Sequence, residues 1–255
     1  MRRALLFLLC HAAVAATIPA QTDLLRKSGQ AVERLWVQLS AVNCIESVQQ
    51  EKLSPAGKSV FRQQTDFDYI AILQLTGNDI LVDESRTTLR EPGRDSKLPL
   101  LITNGFPAFA LIFHPFYQGS FEYGPPERVT EDGRELLAVK FRHVEGARSP
   151  SVLKLRNREY PVDWQGTAWL DPVSGSVVRV TAQLGKSMED IGLKTLRADV
   201  RYAPVEFKEE PGVHWLPATA AIEVETPRQR WRNLHTFTNY KLFSVGVKNA
   251  VGEAK

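Results

Sequence analysis

Alternation of apolar and polar residues with period two dominates the second half of the chain. From Trp164 to Leu184 the sequence reads Trp-Gln-Gly-Thr-Ala-Trp-Leu-Asp-Pro-Val-Ser-Gly-Ser-Val-Val-Arg-Val-Thr-Ala-Gln-Leu, which is two strands around a turn. Asp171-Pro172 opens the reversal and Gly175 supplies a permissive backbone. Alternation then resumes with Val178, Val180, Ala182 and Leu184 on one face. Further strands are expected near 119–123, 135–144, 193–206, 214–225 and 230–245, beside the hairpin strands 164–171 and 176–184. The alternation is clean in Leu196, Ala198, Val200 and Tyr202, set against Thr195, Arg197, Asp199 and Arg201.

The first half starts with a different period. Over residues 22–42, Leu25, Val32, Leu35, Trp36, Leu39 and Val42 fall on one helical stripe, while Arg26, Lys27, Glu33 and Arg34 fall elsewhere. Thr22 is the expected N-cap, with Asp23 favourable in the first turn. From Cys44 the period becomes two, predicting strands over 43–52, 58–65, 67–76 and 79–89. Ser54-Pro55-Ala56-Gly57 and Gly77-Asn78-Asp79 serve as turns, and Phe67, Tyr69, Ala71, Leu73 and Leu75 share a face. Arg90 to Lys97, with Pro92-Gly93 inside it, reads as a surface loop.

Residues 98–117 fit neither period. Leu100, Leu101, Ile102, Phe106, Phe109, Leu111, Ile112, Phe113 and Phe116 are dense and unpatterned, so 105–114 is expected to be a short helix stopped by Pro115. A segment apolar nearly all round must be covered on more than one side. Together these elements predict an α+β fold in which a curved antiparallel sheet of about eleven strands, a half-open β-barrel, encloses the N-terminal amphipathic helix and the short apolar one. Strands twist, so a sheet of that size curls rather than lying flat.

Gln165-Gly166-Thr167-Ala168-Trp169-Leu170-Asp171-Pro172 with Gly175, then Val200-Arg201-Tyr202, Trp215-Leu216-Pro217 and Phe237-Thr238-Asn239-Tyr240 follow one another in an order and spacing that resemble the LolA/LolB-like superfamily of periplasmic carriers and receptors of outer-membrane lipoproteins. The first half resembles that family by pattern alone. The resemblance implies a hydrophobic cavity that receives an acyl chain, in a non-enzymatic protein of the cell envelope. In the family's carrier an early-strand arginine fastens the lid. Arg62 matches by position only, and the role is not carried over to it.

Residues 1–20 read as a cleaved secretory signal: Arg2 and Arg3 give charge, Ala4 to Ala16 is an apolar run too short to span a bilayer, and cleavage fits after Ala16 or Ala20. Residues 21–255 then form one domain, large enough to bury roughly 70% of its unfolded surface without a disulfide. Cys10 falls inside the signal, with a lipoprotein attachment site as the alternative reading, and Cys44 reads as a buried small hydrophobe. The formal net charge is +3, and two of those charges leave with the signal. Nucleic acid needs a concentrated basic surface and is not expected as a partner. The one local cluster, Arg228, Arg230, Trp231 and Arg232, reads as a solvated strand face or as a docking patch for an acidic partner.

Catalytic chemistry finds little support. His114, His143, His214 and His235 are scattered, without His-Glu-x-x-His or a Cys-x-x-Cys companion, so no metal or cofactor is expected. Gly185-Lys186-Ser187 imitates a phosphate-binding loop, but Val180 stands where glycine is required. Gly175-Ser176 lies in a hairpin rather than in a nucleophile elbow, and Glu122, Glu223 and Glu225 are dispersed. The favoured expectation is a monomeric periplasmic binding protein for the acyl chain of a lipoprotein or lipid, contacted by Leu35, Trp36, Phe106, Phe109, Ile112, Phe113 and Phe116. An envelope interaction or sensing module with a filled concavity is the alternative, and an envelope hydrolase the third reading. Phe106, Phe109, Ile112 and Phe113 serve equally as permanent core or as a movable lining.

Overall fold

The structure, a computed structural model, describes residues 17–76, 79–89, 101, 103–155 and 158–243. Helix α1 (Thr17–Leu39) leads into a meander of β1 (Val42–Leu53), β2 (Ser59–Thr76) and β3 (Asp79–Thr88). A 3-10 helix (Phe106–Phe113) and the short α2 (Pro115–Gln118) follow. The remaining strands are β4 (Phe121–Tyr123), β5 (Glu127–Glu131), β6 (Arg134–His143), β7 (Val152–Leu155), β8 (Arg158–Pro161), β9 (Trp164–Leu170), β10 (Val177–Leu184), β11 (Thr195–Val205), β12 (His214–Glu225) and β13 (Arg230–Leu242). Eleven of these strands form one antiparallel sheet in the order β3-β2-β1-β13-β12-β11-β10-β9-β6-β4, with β5 also on β6, while β7 and β8 make a separate hairpin. Among the described residues the two ends of this path do not pair, so the sheet is open. Its seam is the β1–β13 ladder, from Val42↔Leu242 to Leu53↔Arg230, which joins the first strand to the last.

Period-two patterning becomes two faces. Trp164, Ala168 and Leu170 of β9, Val180 and Ala182 of β10, Ala198, Val200 and Tyr202 of β11, and Leu216, Ala220 and Ile222 of β12 are buried, and their alternate neighbours face outward. Against this face lies the α1 stripe, made by Leu24, Val32, Leu35 and Leu39 with the buried Ser28 among them. Ser28 offsets the cost of its own burial by donating to the Leu24 carbonyl at 2.9 Å. Where β2 runs past the start of β1, Leu73 has no strand partner on that side, and α1 takes over. Trp36 Nε1 donates to the Leu73 carbonyl at 2.7 Å, and Ser40 Oγ accepts the Leu73 amide at 3.0 Å.

Two glycines set how closely the layers approach. A Cβ at Gly166 would stand 1.9 Å from the Thr181 carbonyl oxygen, so only glycine lets β9 and β10 come together there. Gly175, at φ 72°, would place a Cβ 2.7 Å from the backbone of Lys27. The β9–β10 turn therefore rests directly on α1. That turn follows the sequence chemistry, since Asp171 Oδ1 accepts the amides of Val173 at 3.0 Å and Ser174 at 2.7 Å.

Several expectations shift. The strands read as 58–65 and 67–76 are one continuous strand, because Gln64-Thr65-Asp66 contains neither glycine nor proline and its pairing with β1 is unbroken. Helix α1 starts at Thr17 and stops at Leu39, so Thr22 lies inside it and Val42 belongs to β1. The apolar segment is 3-10 rather than α over Phe106–Phe113, with a proline in its first turn. Pro115 does not end the helical stretch but opens α2. His114 is extended between the two, and its Nδ1 accepts the Phe116 amide at 3.2 Å. Strands β5, β7 and β8 were not legible as strands, although Asp132-Gly133 after β5 is a two-residue turn with both φ positive, at 50° and 76°. The expected loop 90–97 lies outside the described residues. None of the described helices is long and apolar enough to cross a membrane.

Candidate functional site

The concave face holds one long guest, its own chain segment 101–113. This segment crosses two kinds of lining. Residues 106–113 lie on apolar ground. Pro107, Ala108, Phe109, Ala110, Leu111, Ile112 and Phe113 are all buried, with Ile112 and Phe113 at 0% exposure. The sheet beneath them carries small side chains at its centre: Gly166, Ala182 and Ala198 stand in one cross-strand row, and Ala168, Val180, Val200 and Ala220 in the next. Those short residues leave the depth that aromatic rings fill. Phe109 meets Trp164 edge-on at 5.1 Å and stacks near Phe106 at 6.0 Å, while Phe113 meets Phe141 and Tyr123.

Its backbone joins no ladder. Tyr202 Oη accepts the Ala110 amide at 2.9 Å and donates to the Pro107 carbonyl at 3.1 Å. Tyr123 Oη donates to the Ile112 carbonyl at 2.5 Å. Gln118 Nε2 bridges the carbonyls of Phe113 and Leu25, both at 2.8 Å, and so ties the segment to α1. Burial pushes the phenols of Tyr123 and Tyr202 well above their ordinary range, so both remain protonated donors.

Leu101 and residues 103–105 lie instead on a buried polar cluster contributed by β1, β2, β3 and β13. Glu46, at 0% exposure, accepts from Arg86 Nε at 2.5 Å, from Arg86 Nη2 at 2.9 Å and from His235 Nδ1 at 2.7 Å. Arg86 Nη1 donates onward to Asn104 Oδ1 at 2.6 Å. Glu84 accepts the Tyr69 hydroxyl at 2.5 Å and the Gly105 amide at 2.8 Å. His235 Nε2 lies 2.6 Å from Thr103 Oγ1. Asn233 Nδ2 reaches both Thr103 Oγ1 at 3.1 Å and the Leu101 carbonyl at 2.9 Å, and Gln50 Nε2 reaches that same carbonyl at 2.5 Å. One proton arrangement satisfies the chain of contacts: His235 Nδ1–H donates to Glu46, the Thr103 hydroxyl donates to His235 Nε2, and Asn233 donates to Thr103. Burial alone would raise the Glu46 carboxyl, but the hydrogen bonds from His235 and Arg86 outweigh it and hold the group below its ordinary value.

The structure thus brings Leu35, Phe109, Ile112 and Phe113 into one buried cluster, with Trp36, Phe106 and Phe116 packed at its margin. Sequence reasoning missed Tyr123, Tyr202 and the polar cluster. Their signal was available as polar residues on inward parity: Glu46 and Gln50 alternate with Val42, Cys44 and Val48, and Asn233 and His235 alternate with Trp231 and Phe237. Arg62, by contrast, is an outward residue paired with Glu51. The arginine that touches the crossing segment is Arg86.

Other candidates resolve into structural roles. Trp231 is buried, and Arg230 and Arg232 share Glu223 across the outer face, at 3.8 and 2.7 Å. His143 is held between Asp163, at 2.8 Å, and the Arg148 carbonyl, at 3.2 Å, so neither ring nitrogen faces a serine. Among the described residues no group of His, Cys, Asp and Glu is placed to hold a metal. Cys44 is buried, and that burial pushes its thiol up to about 12.

No family model matches the chain, and no curated protein matches it. Among solved structures it is similar to a LolA superfamily protein from Nitrosomonas europaea, with 10% identity over 88% of this chain and 94% of that one and a TM-score of 0.38. It is similar to a DUF1329 family protein from Desulfovibrio piger, with 10% identity over 92% and 96% and a TM-score of 0.46. A third similarity is to an outer membrane lipoprotein-sorting protein domain from Vibrio parahaemolyticus, with 9% identity over 90% and 95% and a TM-score of 0.41. At these levels of likeness, what the concave face does has to be derived from its own residues.

Proposed function

We propose that the protein is a non-enzymatic periplasmic carrier that shelters an acyl chain of a lipoprotein or lipid on its concave face, by exchanging the segment 105–113 for the guest. The observation that carries this reading is the mode of attachment of that segment. It is as apolar as core, yet side chains hold its backbone instead of a strand ladder, and it fills a trough floored by glycine and alanine. Leu35, Phe109, Ile112 and Phe113 would line the guest, with Trp36, Phe106 and Phe116 at the mouth.

The energetics allow it. Burying a sixteen-carbon chain yields on the order of 12 kcal/mol gross at ~0.8 kcal/mol per methylene, and association takes back ~4 to 15 kcal/mol. Residues 1–20 act as the export signal in this reading. Cleavage after Ala20 would remove Thr17–Ala20 of α1, whereas cleavage after Ala16 would keep them. Protein purified from the periplasm is expected to release lipid into organic solvent, to show lipid adducts by native mass spectrometry and to bind a fluorescent fatty-acyl probe saturably. Absence of all three sinks the carrier and leaves an envelope docking module with a permanently filled concavity.

A further inference from the structure

Resting on that carrier reading, we infer that the guest is recognised through a carbonyl group, so that the ligand class is an acyl ester or acyl amide rather than a bare hydrocarbon chain. Three polar groups of the concave lining stand against the segment that must leave: the buried phenol of Tyr202, the half-buried phenol of Tyr123 and the indole of Trp164. Tyr202 and Tyr123 direct their hydroxyls at the carbonyls of Pro107 and Ile112. The third, Trp164, is 1% exposed and stands against the ring of Phe109. Its indole Nε1–H has no acceptor among the described residues, so the lining holds one donor more than the segment can satisfy.

When the segment withdraws, the two phenol hydrogens join the indole as donors without acceptors in an apolar trough. Buried donors left unpaired are costly, and a site built to hydrogen-bond a guest discriminates against analogues that lack the matching group. The acceptors being replaced are peptide carbonyls. An ester or amide carbonyl at the head of an acyl chain offers the same oxygen at the same polarity, while the chain itself takes the place of Phe109, Ile112 and Phe113. A bare hydrocarbon leaves the donors stranded. The neutral phenols suit a neutral acceptor, because neither carries a positive charge that would select a carboxylate.

Matched probes test this: methyl palmitate against octadecane, each displacing an anilinonaphthalene dye from the full mature protein, in the wild type and in Tyr202→Phe, Tyr123→Phe and Trp164→Phe. The expected result is a roughly tenfold preference for the ester, falling to threefold or less in Tyr202→Phe, with alkane affinity unchanged or higher because the segment is less firmly held. The two further phenylalanine variants report the same ratio should one of them fold poorly. Equal affinity for ester and alkane in the wild type, or a preference that survives all three substitutions, overturns carbonyl recognition and leaves lipid binding standing. Failure of both probes to displace the dye, with no saturable binding of either, overturns the carrier reading and this inference with it.

Discussion

The two ends of the concave face hold the same chain segment by opposite means. Over β9 to β12 the lining is apolar and small at its centre, and residues 106–113 are kept there by packing and by neutral side-chain hydrogen bonds from Tyr202, Tyr123 and Gln118. Over β13, β1, β2 and β3 the lining is charged, and Leu101 and residues 103–105 are kept there by a buried network in which each contact depends on the next. Apolar packing tolerates replacement by another apolar occupant of similar volume, provided its polar head meets the same neutral donors. A desolvated ion pair does not, since loss of one partner strands the other. The difference assigns the ends different jobs: the apolar trough is where one occupant can be exchanged for another, and the polar end is what keeps the displaced segment attached and in register.

Matched substitutions, one at each end, break the comparison most forcefully. Phe113→Ala removes a ring at 0% exposure and is expected to cost about 3–5 kcal/mol. Glu46→Ala leaves Arg86, itself only 17% exposed along its side chain, with Glu84 at 3.3 Å as its remaining carboxylate among the described residues, and is expected to cost about 3 kcal/mol. The costs are alike but their locations should differ. Hydrogen exchange in Glu46→Ala should accelerate at 103–113 ahead of β9–β12, and the acyl probe should exchange faster. In Phe113→Ala the loss should show chiefly in urea denaturation, and the added acyl chain should restore part of it. Uniform acceleration across the whole sheet in both variants would show a single cooperative unit and erase the distinction.

Acid sharpens the same contrast with a smaller effect. The Glu46 carboxyl is held below its ordinary value in the folded protein. Its contribution is therefore complete above the unfolded carboxylate pKa, about 4.3, and is lost as pH falls from there through the depressed folded value. Burial likewise holds His114 below its ordinary imidazole range, so its contribution is complete above about 6.5 and declines as pH falls. Protection against hydrogen exchange at 103–105, taken relative to the intrinsic amide rate at each pH, should fall on acidification below the carboxylate range, and Glu46→Gln should flatten that dependence. An unchanged pH profile in Glu46→Gln would remove Glu46 as the titrating group at the polar end.

Legibility followed the same divide. The apolar trough was readable because period-two alternation in Leu196 to Tyr202 names its face directly, and because the density of Phe106 to Phe113 demands cover. The polar end was not, because alternation was scored as apolar against polar. Glu46, Asn233 and His235 on inward positions looked like lapses in a pattern rather than members of a cluster. Their partners come from β1, β3, β13 and the crossing segment, separated by as many as 189 positions in the Glu46–His235 pair, and only strand order brings such residues together. The 3-10 geometry and the start of α2 at Pro115 turn on one extended residue, His114, which helix propensity does not reveal.

The smallest test compares an ion pair inside the sheet with one of similar composition outside it. Glu223 on β12 and Arg232 on β13 lie opposite each other in the ladder, and Arg232 Nη2 stands 2.7 Å from Glu223 Oε1 with side chains 47% and 27% exposed. Water screens this pair, and Arg230 offers Glu223 a second cation at 3.8 Å. Arg232→Ala should therefore cost about 0.2–1 kcal/mol, fade further in high salt and leave acyl binding unchanged. A cost approaching that of Glu46→Ala, or a loss of lipid capture, would mean that the outer face also reports on the trough. The basic segment Arg228 to Arg232 would then regain its claim as a docking surface, and the division of labour would have to be redrawn through the sheet rather than along it.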